Sequence, residues 1–66
     1  MDAIKFGMNL RKFRQRADMT QAELARQVGV SENYIGHLEH GRKEPSLKVA
    51  SIMADVLGTT VNDLLL

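Results

Sequence analysis

The chain has 66 residues, of which 44% are hydrophobic and 26% charged, with a net charge of +1, two histidines and no cysteine. This composition is typical of a globular protein, and the absence of thiols excludes disulfides and thiolate zinc sites, so we expect neither a metal nor a cofactor. No apolar run approaches the ~20 residues of a membrane span and the start lacks a signal peptide's apolar core, which predicts a cytoplasmic protein of one domain, residues 1–66.

Apolar residues at helical spacing predict a first helix over residues 3–17. Its buried side is expected to consist of Phe6, Leu10, Phe13 and Ala17. A second helix is predicted over residues 21–28, because Thr20 and Glu23 have the spacing of a capping box. Gly29 follows this helix, and a glycine in the left-handed conformation commonly ends one.

The remaining helices are predicted in the same way, from a Ser or Thr that caps the start and, for two of them, a glycine after the end. In chain order they cover residues 32–40 after Ser31, residues 47–57 after Ser46 and residues 61–65 after Thr60. The buried side of the fourth helix is expected to consist of Leu47, Ala50, Met53, Ala54 and Leu57. The pattern predicts an all-α fold, a compact domain of five helices.

The second and third helices are separated by only three residues, so they must cross steeply, at about 90–120° in a helix-turn-helix. Ala25 is small enough for that crossing, and Gly29 can supply the positive φ that ends the second helix within one residue. The residues expected in a shared core are Leu24, Val28, Val30, Ile35 and Leu38, and those expected to face outward are Glu32, Asn33, Gly36 and His37. A helical hairpin without a ligand has some of these features and is the alternative.

Charge is distributed unevenly along the chain. Residues 1–43 carry eight Lys or Arg against five Asp or Glu, which is +3, and residues 44–66 carry one against three, which is −2. Such an asymmetry fits a basic working surface on a near-neutral or acidic support. An ordinary solvated surface explains the charge pattern, taken alone, about equally well.

The segment "MTQAELARQVGVSENYIGHLEHGRKEPSL" resembles the helix-turn-helix of Cro/repressor-type (XRE, lambda-repressor-like) DNA-binding domains, with the motif at residues 20–41. The flanking segments "LRKFRQRADMTQAELA" and "PSLKVASIMADVLGTTVNDLL" resemble the family's first helix and its last two helices. The resemblance therefore covers nearly the whole chain. It implies a lambda-repressor-like fold, double-stranded operator DNA as the ligand, and a two-fold homodimer on a palindromic site.

In such a motif the third helix enters the major groove by its N-terminal end. The residues expected to contact base edges are Ser31, Glu32, Asn33 and His37. Asn33 can bond an adenine with two hydrogen bonds, and His37 can donate to a guanine acceptor or a phosphate. Glu32 has two interpretations of equal weight, because its carboxylate can accept from a cytosine amino group or simply complement the positive end of its own helix.

Phosphate contacts are expected on either side of these residues. The set is Gln21, Tyr34, His40, Arg42, Lys43 and Arg14. For Gln21 the family resemblance implies donation from both the side chain and the backbone N–H at a helix N-terminus. The resemblance also implies that Arg14 forms a structural salt bridge with Glu39, which would orient the third helix, and we prefer this role for Glu39.

An enzyme is not expected, because the chain has no cysteine nucleophile, no phosphate-binding glycine loop and no convincing acid–base pair. The stronger rival is a protein-interaction module of the same fold, such as an antitoxin or adaptor component. The preferred function is a bacterial or phage transcriptional regulator, most often a repressor, with no small-molecule ligand. The residues expected at its dimer interface are Val61, Leu65, Leu66 and Ile52. A frayed tail or the cut end of a larger regulator is the alternative interpretation of this apolar end.

Overall fold

The computed structural model describes residues 1–66 as five helices without a β-strand. They are α1 (Ala3–Arg16), α2 (Gln21–Val28), α3 (Glu32–Glu39), α4 (Leu47–Leu57) and α5 (Val61–Leu64). The predicted all-α fold is confirmed. Three predicted helices were one residue too long, because Ala17, His40 and Leu65 serve as C-caps just outside the helices.

The predicted cap residues stabilise the helix starts. Thr20 Oγ1 accepts from the N–H of Glu23 at 3.0 Å, and the Glu23 carboxylate accepts from the N–H of Thr20 at 3.0 Å. These two hydrogen bonds complete the capping box. The pKa of Glu23 lies below its ordinary value, because the backbone N–H of Thr20 and then its side chain stabilise the carboxylate. The side chains of Ser31, Ser46 and Thr60 each accept from the backbone N–H three residues later, and Asp2, which the sequence pattern did not single out, caps α1 in this way.

Ten apolar residues form one buried core to which every helix contributes. They are Phe6, Leu10, Leu24, Ala25, Ile35, Leu38, Ala50, Met53, Ala54 and Leu64. Two residues predicted to be buried are exposed. Leu47 is 69% exposed, because it is the first residue of α4 and its side chain tilts back past the helix start, beyond the core. Ala17 is exposed because α1 has already ended there.

The turn between α2 and α3 has the predicted construction. Gly29 adopts φ 87° and ψ 32°, and the N–H groups of Gly29 and Val30 both donate to the carbonyl of Ala25, at 2.8 and 3.0 Å. Ala25, the small residue expected at the crossing, is buried in the core. The left-handed glycine therefore allows α3 to leave at a steep angle directly after Ser31.

A second glycine brings α1 against the end of α3. A Cβ added at Gly7 would collide with the carbonyl oxygen of Leu38 and lie 2.9 Å from that of Glu39. Only glycine permits the two backbones to approach so closely. At the other side of α1, the side-chain amide of Asn9 donates to the carbonyl of Leu64 at 2.9 Å and so attaches α5.

None of the helices has both the length and the apolar character required to cross a membrane.

Candidate nucleic-acid interface

An open cleft of about 180 Å³ lies where α3 meets the start of α2 and the loop after α3. No hydrophobic residue lines it. Its walls consist of Gln21, Glu32, Asn33, Gly36, His37, His40 and Arg42. The cleft therefore combines three of the residues predicted to contact bases with three of those predicted to contact phosphates.

The N-terminal end of α3 is exposed at the edge of this cleft. Ser31, Glu32 and Asn33 are all exposed, and the N–H groups of Glu32 and Asn33 donate to no acceptor within the chain. Free N–H groups and the helix dipole make such an end attractive to an anion or to a base acceptor. Ser31 does not line the cleft. Its Oγ accepts from the N–H of Tyr34 at 3.0 Å, and its hydroxyl hydrogen is free.

The start of α2 forms the opposite wall. The N–H groups of Gln21 and Ala22 have no acceptor within the chain. The side chain of Gln21 is oriented, because its Nε2 donates to Glu39 Oε1 at 3.0 Å. A carboxylate only accepts hydrogen bonds, so the amide nitrogen must face Glu39 and Gln21 Oε1 must face away from it. This contact was not predicted from the sequence.

Behind the cleft, Glu39 is the centre of a buried network of hydrogen bonds. Its carboxylate is 2% exposed and accepts from Arg14 Nε at 2.6 Å and Arg14 Nη2 at 3.1 Å, besides Gln21. Arg14 Nη1 donates to the carbonyl of Met19 at 2.8 Å. The hydrogen bond with Glu39 raises the pKa of Arg14, against the opposing effect of burial. The network joins α1, the loop before α2, the start of α2 and the end of α3.

The surroundings of Arg14 favour its structural role over a phosphate contact. Its side chain is 11% exposed, and all three of its guanidinium nitrogens donate to partners inside the chain. These are three of the five N–H donors of the guanidinium. Arg14 therefore belongs to the scaffold that orients α3, and its contact with a DNA phosphate stays a prediction.

The loop after α3 directs polar groups toward the cleft. His40 Nδ1 lies 2.8 Å from the carbonyl oxygen of Gly36 and must donate, since a carbonyl only accepts, so Nε2 is the free atom of the ring. Gly41 adopts a φ of 70° and lies against Ile4, since a Cβ added at Gly41 would lie 2.9 Å from Cγ1 of Ile4. The N–H of Arg42 donates to the carbonyl of His37 at 2.9 Å. Arg42 and Lys43 are exposed and take part in no salt bridge.

Comparison with known proteins identifies the family. A profile of the helix-turn-helix family matches residues 10–64. The chain belongs to this family, in its XRE-type, lambda-repressor-like branch. An uncharacterised helix-turn-helix transcriptional regulator of Archaeoglobus fulgidus is 44% identical over 55 residues, which are 83% of this chain and 79% of that one.

Two solved structures are similar over nearly the whole chain. The clp gene regulator ClgR of Corynebacterium glutamicum has a TM-score of 0.93 and 37% identity, covering 98% of this chain and 69% of that one. The restriction-modification controller protein C.AhdI of Aeromonas hydrophila has a TM-score of 0.89 and 32% identity, covering 96% of both chains. This helix-turn-helix protein is thus a DNA-binding transcriptional regulator and not an enzyme.

Tyr34 has a different setting from the other residues predicted to contact phosphate in this helix-turn-helix. It is half-buried, packs against the core and does not line the cleft.

Gly36, unlike Tyr34, lines the cleft although the sequence predicts no contact with DNA for it. As expected it faces outward, and it lies in the cleft wall between the residues predicted to contact bases.

The apolar residues predicted for a dimer contact all reach the surface of this regulator. We call Ile52, Val61, Leu65 and Leu66 the C-terminal apolar set. Leu66 is 76% exposed, whereas Ile52, Val61 and Leu65 are half-buried. Val61 and Leu65 also pack against the core, but Ile52 is not among the residues that do. Leu64 is fully buried between them, so α5 is anchored while its other side chains stay accessible.

Proposed function

We propose that residues 1–66 form a single DNA-binding domain that acts as a homodimeric repressor on a palindromic operator. Each subunit would place the N-terminal end of α3 in the major groove. The observation that carries the proposal is the cleft, because its polar lining has accessible hydrogen-bonding groups that the fold itself does not use. Occupying the operator would then be sufficient to block transcription.

Base contacts in this proposal come from Ser31, Glu32, Asn33 and His37. Asn33 has the amide geometry for an adenine edge, and Glu32 discriminates by rejecting base pairs that present no donor. The four are exposed or line the cleft, so each can reach a ligand without rearrangement of the core.

Phosphate contacts come from the two ends of the cleft. At one end are the free backbone N–H groups of Gln21 and Ala22 at the start of α2. At the other end are Arg42, Lys43 and the ring of His40, and the hydroxyl of Tyr34 on α3 is the remaining candidate. Contacts of this kind fix the position of α3 on the duplex and contribute most of the salt dependence.

The dimer would use the C-terminal apolar set. An isologous contact pairs the same surface on both subunits, and partly exposed apolar side chains at a chain end suit such a contact. Two α3 helices related by that axis would lie one turn of DNA apart, about 34 Å. Half-sites with this spacing are therefore expected.

Selection of bound sequences from random duplex DNA tests the proposal directly. The expected result is an inverted repeat with fixed spacing, bound with an affinity that falls steeply as salt is raised. A protein-interaction module of the same fold would give no enriched sequence and little dependence on salt. Enriched half-sites without a fixed spacing would contradict the dimer while supporting DNA binding.

A further inference from the structure

Gly36 lies in the middle of α3, and nothing in the fold requires a glycine there. Its φ is not positive, and an added Cβ would meet only the side chain of Gln21, with Oε1 at 3.9 Å and Nε2 at 4.0 Å. Those are ordinary van der Waals distances, so alanine would fit. Glycine within a helix is less stable than alanine, because it loses more conformational freedom on folding. The fold would therefore favour alanine at this position.

The position of Gly36 suggests that the cleft, and not the fold, explains why this residue is a glycine. It is half-buried in the wall of the cleft, next to the residues proposed to contact bases, Glu32, Asn33 and His37. A methyl group at this point would project toward Gln21 and fill part of a space of about 180 Å³. The missing side chain thus deepens the cleft where α2 and α3 face each other.

The side chain of Gln21 gives that deepened part of the cleft a chemical preference. Because Glu39 holds Nε2, Gln21 Oε1 is directed away from the network, and it accepts no hydrogen bond within the chain. An oriented and free amide oxygen can accept from a donor on a ligand. In the major groove the donors are the exocyclic amino groups, N6 of adenine and N4 of cytosine.

We infer that Gly36 is a specificity-determining residue: the space beside it receives the edge of one base pair, whose exocyclic amino group donates to Gln21 Oε1. The inference rests on the proposed function and deepens it. In this inference the backbone N–H of Gln21 remains the phosphate contact, and its side chain contacts a base. Glu39 acts as a positioning residue, because it sets which amide atom of Gln21 faces the DNA.

The first test is Gly36→Ala, because the inference predicts opposite effects on folding and on binding. The melting temperature should rise by a few degrees, while affinity for the selected operator should fall at least tenfold and affinity for unrelated DNA should stay the same. Ser51→Ala, on the exposed middle of α4, is the matched control that raises helix propensity far from the cleft. It should leave operator affinity unchanged.

The second test removes amino groups from the DNA. In the selected operator, each adenine is replaced in turn by purine and each cytosine by its deamino analogue, and the Kd is measured for the wild type and for Gln21→Met. One position is expected where the loss weakens the wild type about three- to tenfold and does not affect the variant. Circular dichroism of Gln21→Met verifies that the variant is folded.

The outcomes separate the two proposals. If the wild type selects an operator but Gly36→Ala binds it equally well, or no amino group depends on Gln21, this inference is wrong and the proposed function stands. If the wild type selects no sequence at all, both are wrong.

Discussion

Glu39 and Gln21 are joined by a hydrogen bond of 3.0 Å that connects the end of α3 to the start of α2. The same carboxylate is paired with Arg14, so one buried group determines both the orientation of α3 and the direction of a side chain in the cleft. Both segments proposed to contact DNA depend on it. Defects in this network should therefore affect stability and DNA recognition together.

Replacing Arg14 with Met should destabilise the protein by about 3–5 kcal/mol, because it leaves the buried carboxylate of Glu39 without its cation. The double variant Arg14→Met/Glu39→Met should regain most of that loss, since two packed apolar side chains carry no stranded charge. Urea unfolding followed by circular dichroism measures both. A double variant as unstable as the single one would contradict the pairing.

Gly7→Ala should destabilise the protein by at least about 1–3 kcal/mol, because the new methyl group collides with the carbonyl of Leu38 and must push α1 away from α3. Gly36→Ala is the matched control, since it adds the same methyl group to a helical glycine where that group makes only ordinary van der Waals contacts. Thermal melting should show changes of opposite sign. A Gly7→Ala variant as stable as the wild type would show that the helices can separate at no cost.

The helices were predictable because each is specified by local features. Caps such as Thr20, Ser31 and Ser46, and stops such as Gly29, act within a few residues of the backbone groups that they satisfy. The predicted helix ends were accordingly correct to within one residue.

Contacts between segments distant in the sequence were harder to predict. The close approach at Gly7 and the hydrogen bond between Gln21 and Glu39 depend on how whole helices pack, which local patterns do not encode. Arg14 and Glu39 were paired only through the family resemblance, and Leu47 has the right periodicity but extends past the core. Most of the candidate site was predictable because exposed polar residues follow the helix period, whereas Gly36 has no side chain to indicate a role.

Stability should decrease with acidity partly through Glu23, whose pKa the capping box lowers in the folded protein. Between the folded and the unfolded pKa of Glu23, the unfolded chain binds more protons than the folded protein. The stability that Glu23 contributes is therefore complete above its ordinary pKa of about 4.3, and it disappears as pH falls through the lower pKa of the folded state. Glu23→Gln keeps an acceptor for the N–H of Thr20 but does not titrate. Between pH 6 and about pH 3 the urea midpoint should fall less in Glu23→Gln than in the wild type. Parallel curves of midpoint against pH for the two proteins would show that Glu23 contributes no pH dependence.

Asn33→Ala and Arg42→Ala should weaken DNA binding in different ways. Loss of Asn33 should cost about 1–3 kcal/mol on the operator only, because a base contact is removed. Loss of Arg42 should weaken operator and unrelated DNA alike and reduce the slope of log affinity against log salt by about 1. Fluorescence anisotropy over a salt series measures both quantities. Identical behaviour of the two variants on both DNAs would contradict the assigned roles.

Leu66→Lys combined with Ile52→Lys should convert the protein to a monomer, because two charges in an apolar contact between subunits cannot be solvated there. Leu47→Lys is the matched control, since Leu47 is 69% exposed and Leu66 76%, but Leu47 lies outside the C-terminal apolar set. Sedimentation velocity should give a monomer for the double variant and a dimer for the control. The affinity of the double variant for the palindrome should fall to its affinity for a single half-site, because the two α3 helices are no longer linked in one dimer. A double variant that remains dimeric would place the two-fold contact elsewhere on the protein.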